Sequence, residues 1–220
     1  MTSVDDVIAR MQSIASALEP TDGAAVFNRV YLEVTAMVRD RLAAGTAFTD
    51  DAFMADLDVR FAQLWFRAYD ASPASRSRAW SPLFESRRRD LAPIQFALAG
   101  MNAHIEHDLP LAVVATCLSH GRRPDDVRAD YEKVNDLLAE VESGIRRSFL
   151  DDLGRALDDE VGPLAHLIAA WDIGKAREAA WVSVCLLWEL RDNPFLDLLQ
   201  RTALDRTVGL GSRLLLTPVT

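Results

Sequence analysis

The chain has 220 residues, 50% of them hydrophobic and 26% charged, with a formal net charge of −9. That composition supports a core of its own, so neither a metal nor a disulfide is required for folding. An acidic chain gains nothing from counterion release, which excludes nucleic acid as an expected partner. The start lacks a basic segment followed by an apolar one, and no run reaches the roughly 20 apolar residues that cross a bilayer, so neither a leader peptide nor a membrane partner is expected.

Residues 1–220 read as one all-α domain, a multi-helix bundle with a central apolar helix. Ser3 with Asp6 starts a first helix whose apolar face is Val4, Val7, Ile8, Met11, Ile14, Ala15 and Leu18, stopped by Pro20. A second begins near Thr21 and Asp22, carries Phe27, Tyr31, Val34, Val38 and Leu42 on one face, and ends at Gly45. The third is predicted to follow a Thr49 cap, with Phe53, Leu57, Phe61, Leu64, Trp65 and Ala68 as its stripe. Residues 72–82, rich in Ser, Pro and Arg, form the most loop-like segment and the best place for a lid.

An apolar helix is expected over 93–108, broken or kinked at Pro110, with a short apolar segment after it to about Ser119. From Pro124 the longest helix carries a seam of Val127, Tyr131, Val134, Leu138, Val141, Ile145 and Phe149. A polar amphipathic helix over 151–160 follows and ends at Gly162 and Pro163. Residues 164–190, with Trp171, Trp181 and Trp188, are apolar on nearly every side, which predicts the central helix of the bundle. A short helix or apolar strap closes the chain at 208–216. Cys117 and Cys185 sit in apolar helical contexts and read as small buried hydrophobes of a reducing, cytoplasmic protein.

No dinucleotide, P-loop, serine-hydrolase elbow, paired Cys-x-x-Cys or zinc-protease motif occurs, nor the Glu-x-x-His pairs of a di-iron bundle. One stretch survives that filter, GMNAHIEHDLP at 100–110. His104 and Asp108 lie four apart, one above the other on a helix, with His107 beside them and Asn102 at the flank. Met101, Ile105 and Leu109 share another face and are expected to meet the core.

Asp108 can fix the tautomer of His104 and make it a general base or acid. On that reading the protein is an enzyme that cyclises, isomerises, eliminates from or hydrolyses a small, largely apolar substrate, in the manner of secondary metabolism. His104, Asp108 and Asn102 are its catalytic candidates, and His107, Arg177, Trp181 and Tyr31 its substrate-binding ones. Two alternatives stand beside it. His104 and Asp108 could instead ligate a divalent metal in a hydrolase, completed by His166, Glu178 or Glu33, no cofactor being implied by any motif. Or the protein is a non-catalytic module that binds or dimerises through the 127–149 seam or the apolar tail. The bland reading of the pair is structural, with Asp108 capping a helix that restarts at Pro110.

Three pieces, Phe27 to Tyr31 (FNRVY), Gln95 to Pro110 (QFALAGMNAHIEHDLP) and Ala176 to Trp181 (AREAAW), resemble a bacterial, largely actinobacterial family of unknown function. The resemblance spans most of the chain and implies a helical protein of this size without an assigned activity. His104, Asp108 and Pro110 are also similar to the His-x-x-x-Asp step of zinc-dependent phospholipase C and related helical nucleases. Those proteins use further histidines and an N-terminal tryptophan, whereas this chain has four histidines and begins Met-Thr.

Overall fold

The computed structural model describes residues 3–135, 138 and 172–218, and among these the only regular structure is helical. Helix α1 (Val4–Ala17) starts at a reciprocal capping box between Ser3 and Asp6, as its sequence predicts. Helix α2 (Gly23–Ala44) is capped by Asp22 and closed by Gly45, whose φ of 63° puts it in the left-handed region that favours glycine. Helix α3 (Asp51–Asp70) is capped by Asp50, not by the expected Thr49. The Asp50 carboxylate accepts from the Phe53 N–H at 3.0 Å, while the Thr49 N–H is taken by Asp130.

After a short helix α4 (Ser81–Ser86) comes α5 (Pro93–Asn102), in which every residue from Ile94 to Asn102 is buried. It runs without a break through a widened π turn (Ala103–Asp108) into α6 (Leu109–His120). Helix α7 occupies residues 124–135 of the described chain. Helix α8 (Ile173–Leu190) is capped by Asp172, and α9 (Pro194–Leu215) by Asn193. No helix among the described residues is long and apolar enough to cross a membrane.

The centre of the bundle is the continuous α5–π–α6 helix. It packs on α2, α3, α4, α8 and α9, and its faces are buried nearly all round. This corrects the assignment of the central helix to 164–190 for the part that is described, 172–190. Helix α8 buries one stripe, Ile173, Ala176, Arg177, Ala180, Trp181, Val184 and Leu187, and leaves Val182, Leu186 and Cys185 exposed. Cys185 is therefore a surface residue, whereas Cys117 is buried as expected. Helices α2 and α3 run antiparallel, since Phe27 packs edge-on to Trp65 and Tyr31 to Phe61.

Pro110 neither stops nor restarts the helix. The π turn, in which the Leu109 N–H reaches back to the His104 carbonyl, loosens the ladder where a proline supplies no N–H. Asp108 accordingly makes no cap hydrogen bond. Residues 72–80 are tied to the bundle: Arg76 donates to the Ala68 and Ala71 carbonyls, and the Arg78 and Ala79 N–H groups donate to Asp205. The expected short tail helix is the second half of the 22-residue α9. Its end is tied to α5 by Gln95, whose Nε2 donates to the carbonyls of Leu215 and Thr217. In the 127–149 seam, Val127, Tyr131 and Leu138 bury into the chain's own core. Val141, Ile145, Phe149, the 151–160 helix, Gly162, Pro163 and Trp171 lie outside the described residues.

Candidate active site

Asp108 sits at the end of the π turn, 2% exposed, and three donors converge on it. His104 Nδ1 lies 2.9 Å from Oδ2, His107 Nδ1 lies 2.7 Å from Oδ1, and the indole Nε1 of Trp80 donates to Oδ2 at 2.9 Å. Burial opposes a charge on Asp108, but the hydrogen bonds from His104 and His107 outweigh it and hold its pKa below the usual carboxylate value. His107 faces the same contest. Burial disfavours its charged form, yet the bond to Asp108 and the charges of Asp108 and Asp205 leave its pKa raised. Of the two histidines on Asp108, His107 is thus the one whose charged form is favoured, whereas burial favours the neutral ring of His104.

For His104 burial wins, and its pKa is lowered despite Asp108. A carboxylate can only accept, so its neighbour Nδ1 carries the proton and Nε2 keeps a lone pair. That Nε2 is buried and has no hydrogen-bond partner. The imidazole is held face to face with Phe61 at 3.6 Å, with Tyr31 edge-on at 4.3 Å and Phe27 at 5.7 Å.

His104 borders an internal cavity walled by α2, α3, α7, α8 and the α5–π–α6 helix. The centre of a water-sized sphere has about 90 Å3 to move in there, several times what a single water needs. Most of the wall is aliphatic or aromatic. Met101, Ile105 and Leu109 belong to it together with His104, which brings the expected separate apolar face to the polar site.

Asp58 on α3 also faces this cavity, and sequence reasoning passed over it. It is 9% exposed, its Oδ2 has no partner, and burial raises its pKa to about 7. The signal was present: Asp58 lies four residues after Met54 and three before Phe61, an acid on an otherwise apolar stripe. Trp80 gave no such signal, since its bond to Asp108 is a tertiary contact from a loop.

Of the residues singled out in the sequence, Tyr31 and Arg177 reach the cavity. The Tyr31 hydroxyl is buried and unpartnered, and burial together with the charge of Asp58 raises its pKa. Arg177 is 5% exposed. Its hydrogen-bond partners among the described residues are neutral, and it pairs with neither Glu178 nor Asp172. Trp181 packs on Tyr131 at 4.7 Å behind the wall, under the Arg128 guanidinium. Asn102 is not brought to the cavity: its Nδ2 donates to the Val208 carbonyl and Ser212 Oγ, fastening the central helix to α9. Of the proposed metal ligands beyond His104 and Asp108, neither of the two described ones joins the pair. Glu33 is exposed, Glu178 pairs with Arg128 at 2.9 Å, and His166 lies outside the described residues.

These features define an all-α protein whose central helix presents a desolvated histidine to an internal, mostly apolar cavity. Residues 4–218 match the family of unknown function DUF5995, and the chain belongs to that family. No curated protein and no solved structure is significantly similar to it.

Proposed function

We propose that the protein is an enzyme acting by acid–base chemistry on a small, largely apolar organic molecule held in the cavity. The observation that carries this reading is the unpartnered Nε2 of His104, with the opposite ring nitrogen fixed by Asp108. A neutral imidazole of known tautomer, stripped of water, is a general base. Asp58, with a pKa of about 7, can give up or take a proton near neutrality, and Tyr31 adds a hydroxyl. A base and an acid bordering one cavity suit reactions that remove a proton at one atom and deliver one at another. Isomerisation and elimination fit best, with cyclisation and hydrolysis using the same groups. A buried polar atom without a partner is costly for the fold, so its retention in an apolar wall fits a ligand role. The two free thiols, Cys117 and Cys185, fit a reducing, cytoplasmic setting.

The test uses His104→Gln. Incubating the protein with a bacterial small-molecule extract, and following by mass spectrometry which compounds are consumed, reads activity without a named substrate. The variant should lose that consumption while keeping its helical circular dichroism and its melting temperature to within a few degrees. Unchanged consumption, or a variant that no longer folds, would point to a structural pair.

A further inference from the structure

Three features of the cavity bear on the shape and charge of its occupant. The first is length. On α2 its wall runs from Phe27 to Val38, about 16 Å at 1.5 Å per residue. It follows α3 from Met54 to Phe61 and takes in Tyr131 and Val134 of α7, with Leu138 beyond. A wall that meets one helix over three turns suits an elongated chain lying along it.

The second feature is the apolar character of most of that wall, where Val30, Val34, Val38, Met54, Leu57 and Leu138 offer no hydrogen bond. The third is Arg177. Its Nε donates to Asn135 Oδ1, its Nη2 donates to the Tyr131 carbonyl at 2.6 Å, and its guanidinium lies 4.1 Å over the Tyr131 ring. Each partner is neutral. Burial lowers its pKa, but a guanidinium keeps its proton in proteins, so a buried positive charge borders the cavity without a carboxylate among the described residues. The other acid–base side chains on the wall do not oppose an anion at slightly acid pH, since a histidine carries no negative charge and Asp58 holds its proton below about pH 7.

We infer that the cavity takes an elongated apolar monoanion, of which a medium-chain monocarboxylate is the simplest form, with its carboxylate on Arg177 and its chain along the α2 wall. A carboxylate meets a guanidinium through charge-assisted hydrogen bonds, and an apolar chain replaces nothing but apolar contacts along the rest of the wall. This substrate class rests on the enzyme reading of the same site.

The experiment is calorimetric titration of the unmodified protein at about pH 6 with three ligands of equal chain length: decanoate, decan-1-ol and decylamine. Decanoate should bind at least tenfold more tightly than the alcohol, and decylamine most weakly. Hydrogen exchange should slow on α2, α7 and α8 when decanoate is added. Arg177→Gln should bring decanoate down to the affinity of the alcohol, and if that variant fails to fold the ligand series still decides the charge. Equal binding of acid and alcohol, tightest binding of the amine, no binding of any of the three, or protection confined to the exposed leucines of α9 would each overturn the inference. Failure of decanoate with His104-dependent turnover intact would remove the substrate class alone. Decanoate binding without such turnover would leave a carrier and remove the enzyme.

Discussion

Asp58 and Asp108 are both buried aspartates, yet their surroundings drive them in opposite directions. Asp108 receives three donors and stays charged, whereas Asp58 receives none at Oδ2 and is pushed to about 7. A folded-state pKa raised above the unfolded value means that the native state binds more protons between the two. Stability from this group therefore falls as pH rises from about 4 to 7 and is constant above that. The full shift corresponds to about 4 kcal/mol as an upper bound. Asp58→Asn should accordingly be more stable than the parent at about pH 8 and nearly equal to it at about pH 4, read from urea midpoints at both pH values. Equal effects at the two pH values would mean that the carboxyl ionises freely in the folded protein.

At the element scale, the π turn decides the site. An α-helical reading of 93–110 separates the His104–Asp108 pair from Met101, Ile105 and Leu109, while the widened turn gathers His104 and those three side chains on one cavity. Close helix contacts depend on glycine at Gly23, Gly100 and Gly209 among the described residues. A Cβ on Gly100 would come within 2.3 Å of the Phe27 ring, and one on Gly209 within 2.4 Å of the Arg78 carbonyl oxygen. The ring can shift more readily than a backbone carbonyl fixed by the nearby bonds of Arg78 and Ala79 to Asp205. Gly209→Ala should therefore lose about 1–3 kcal/mol or more. At Gly45 the left-handed cap has open space around it, and alanine there should cost only about 1 kcal/mol. Denaturant midpoints of the two variants check the order, and a smaller loss at Gly209 than at Gly45 would contradict the contact.

For the whole molecule, the cavity is the place where both halves of the chain meet. Its wall combines α2 and α3 with α7, α8 and the central helix, so a ligand there stabilises the fold as a unit. Decanoate at a hundredfold excess over its Kd should add about 2.7 kcal/mol to the unfolding free energy. Val134→Trp, which fills the cavity from α7, should abolish that gain while the variant still folds. A gain that survives the tryptophan would place the ligand elsewhere, for example on α9, where Phe195, Leu198, Leu210 and Leu214 are exposed.

The sequence by itself determined the helical class, the helix ends at Ser3 and Gly45, the start of α2 near Asp22, and the contact between His104 and Asp108. All of these are local, set by spacing within one or two turns. It also marked Tyr31 and Arg177, whose residue types stand out on apolar faces. Tertiary structure decided the rest. The charge states of His104, Asp108 and Asp58 depend on how many donors and how little water surround them, and Trp80, 28 residues from Asp108 in the chain, is one such donor. Asn102 was expected at the catalytic flank but serves α9, because the direction of a side chain on a buried helix is fixed by the helix that packs against it. The passage of the helix beyond Pro110 also had to await the packed structure. A proline ends an isolated helix, but contacts made on all sides by the central one compensate the hydrogen bond it lacks.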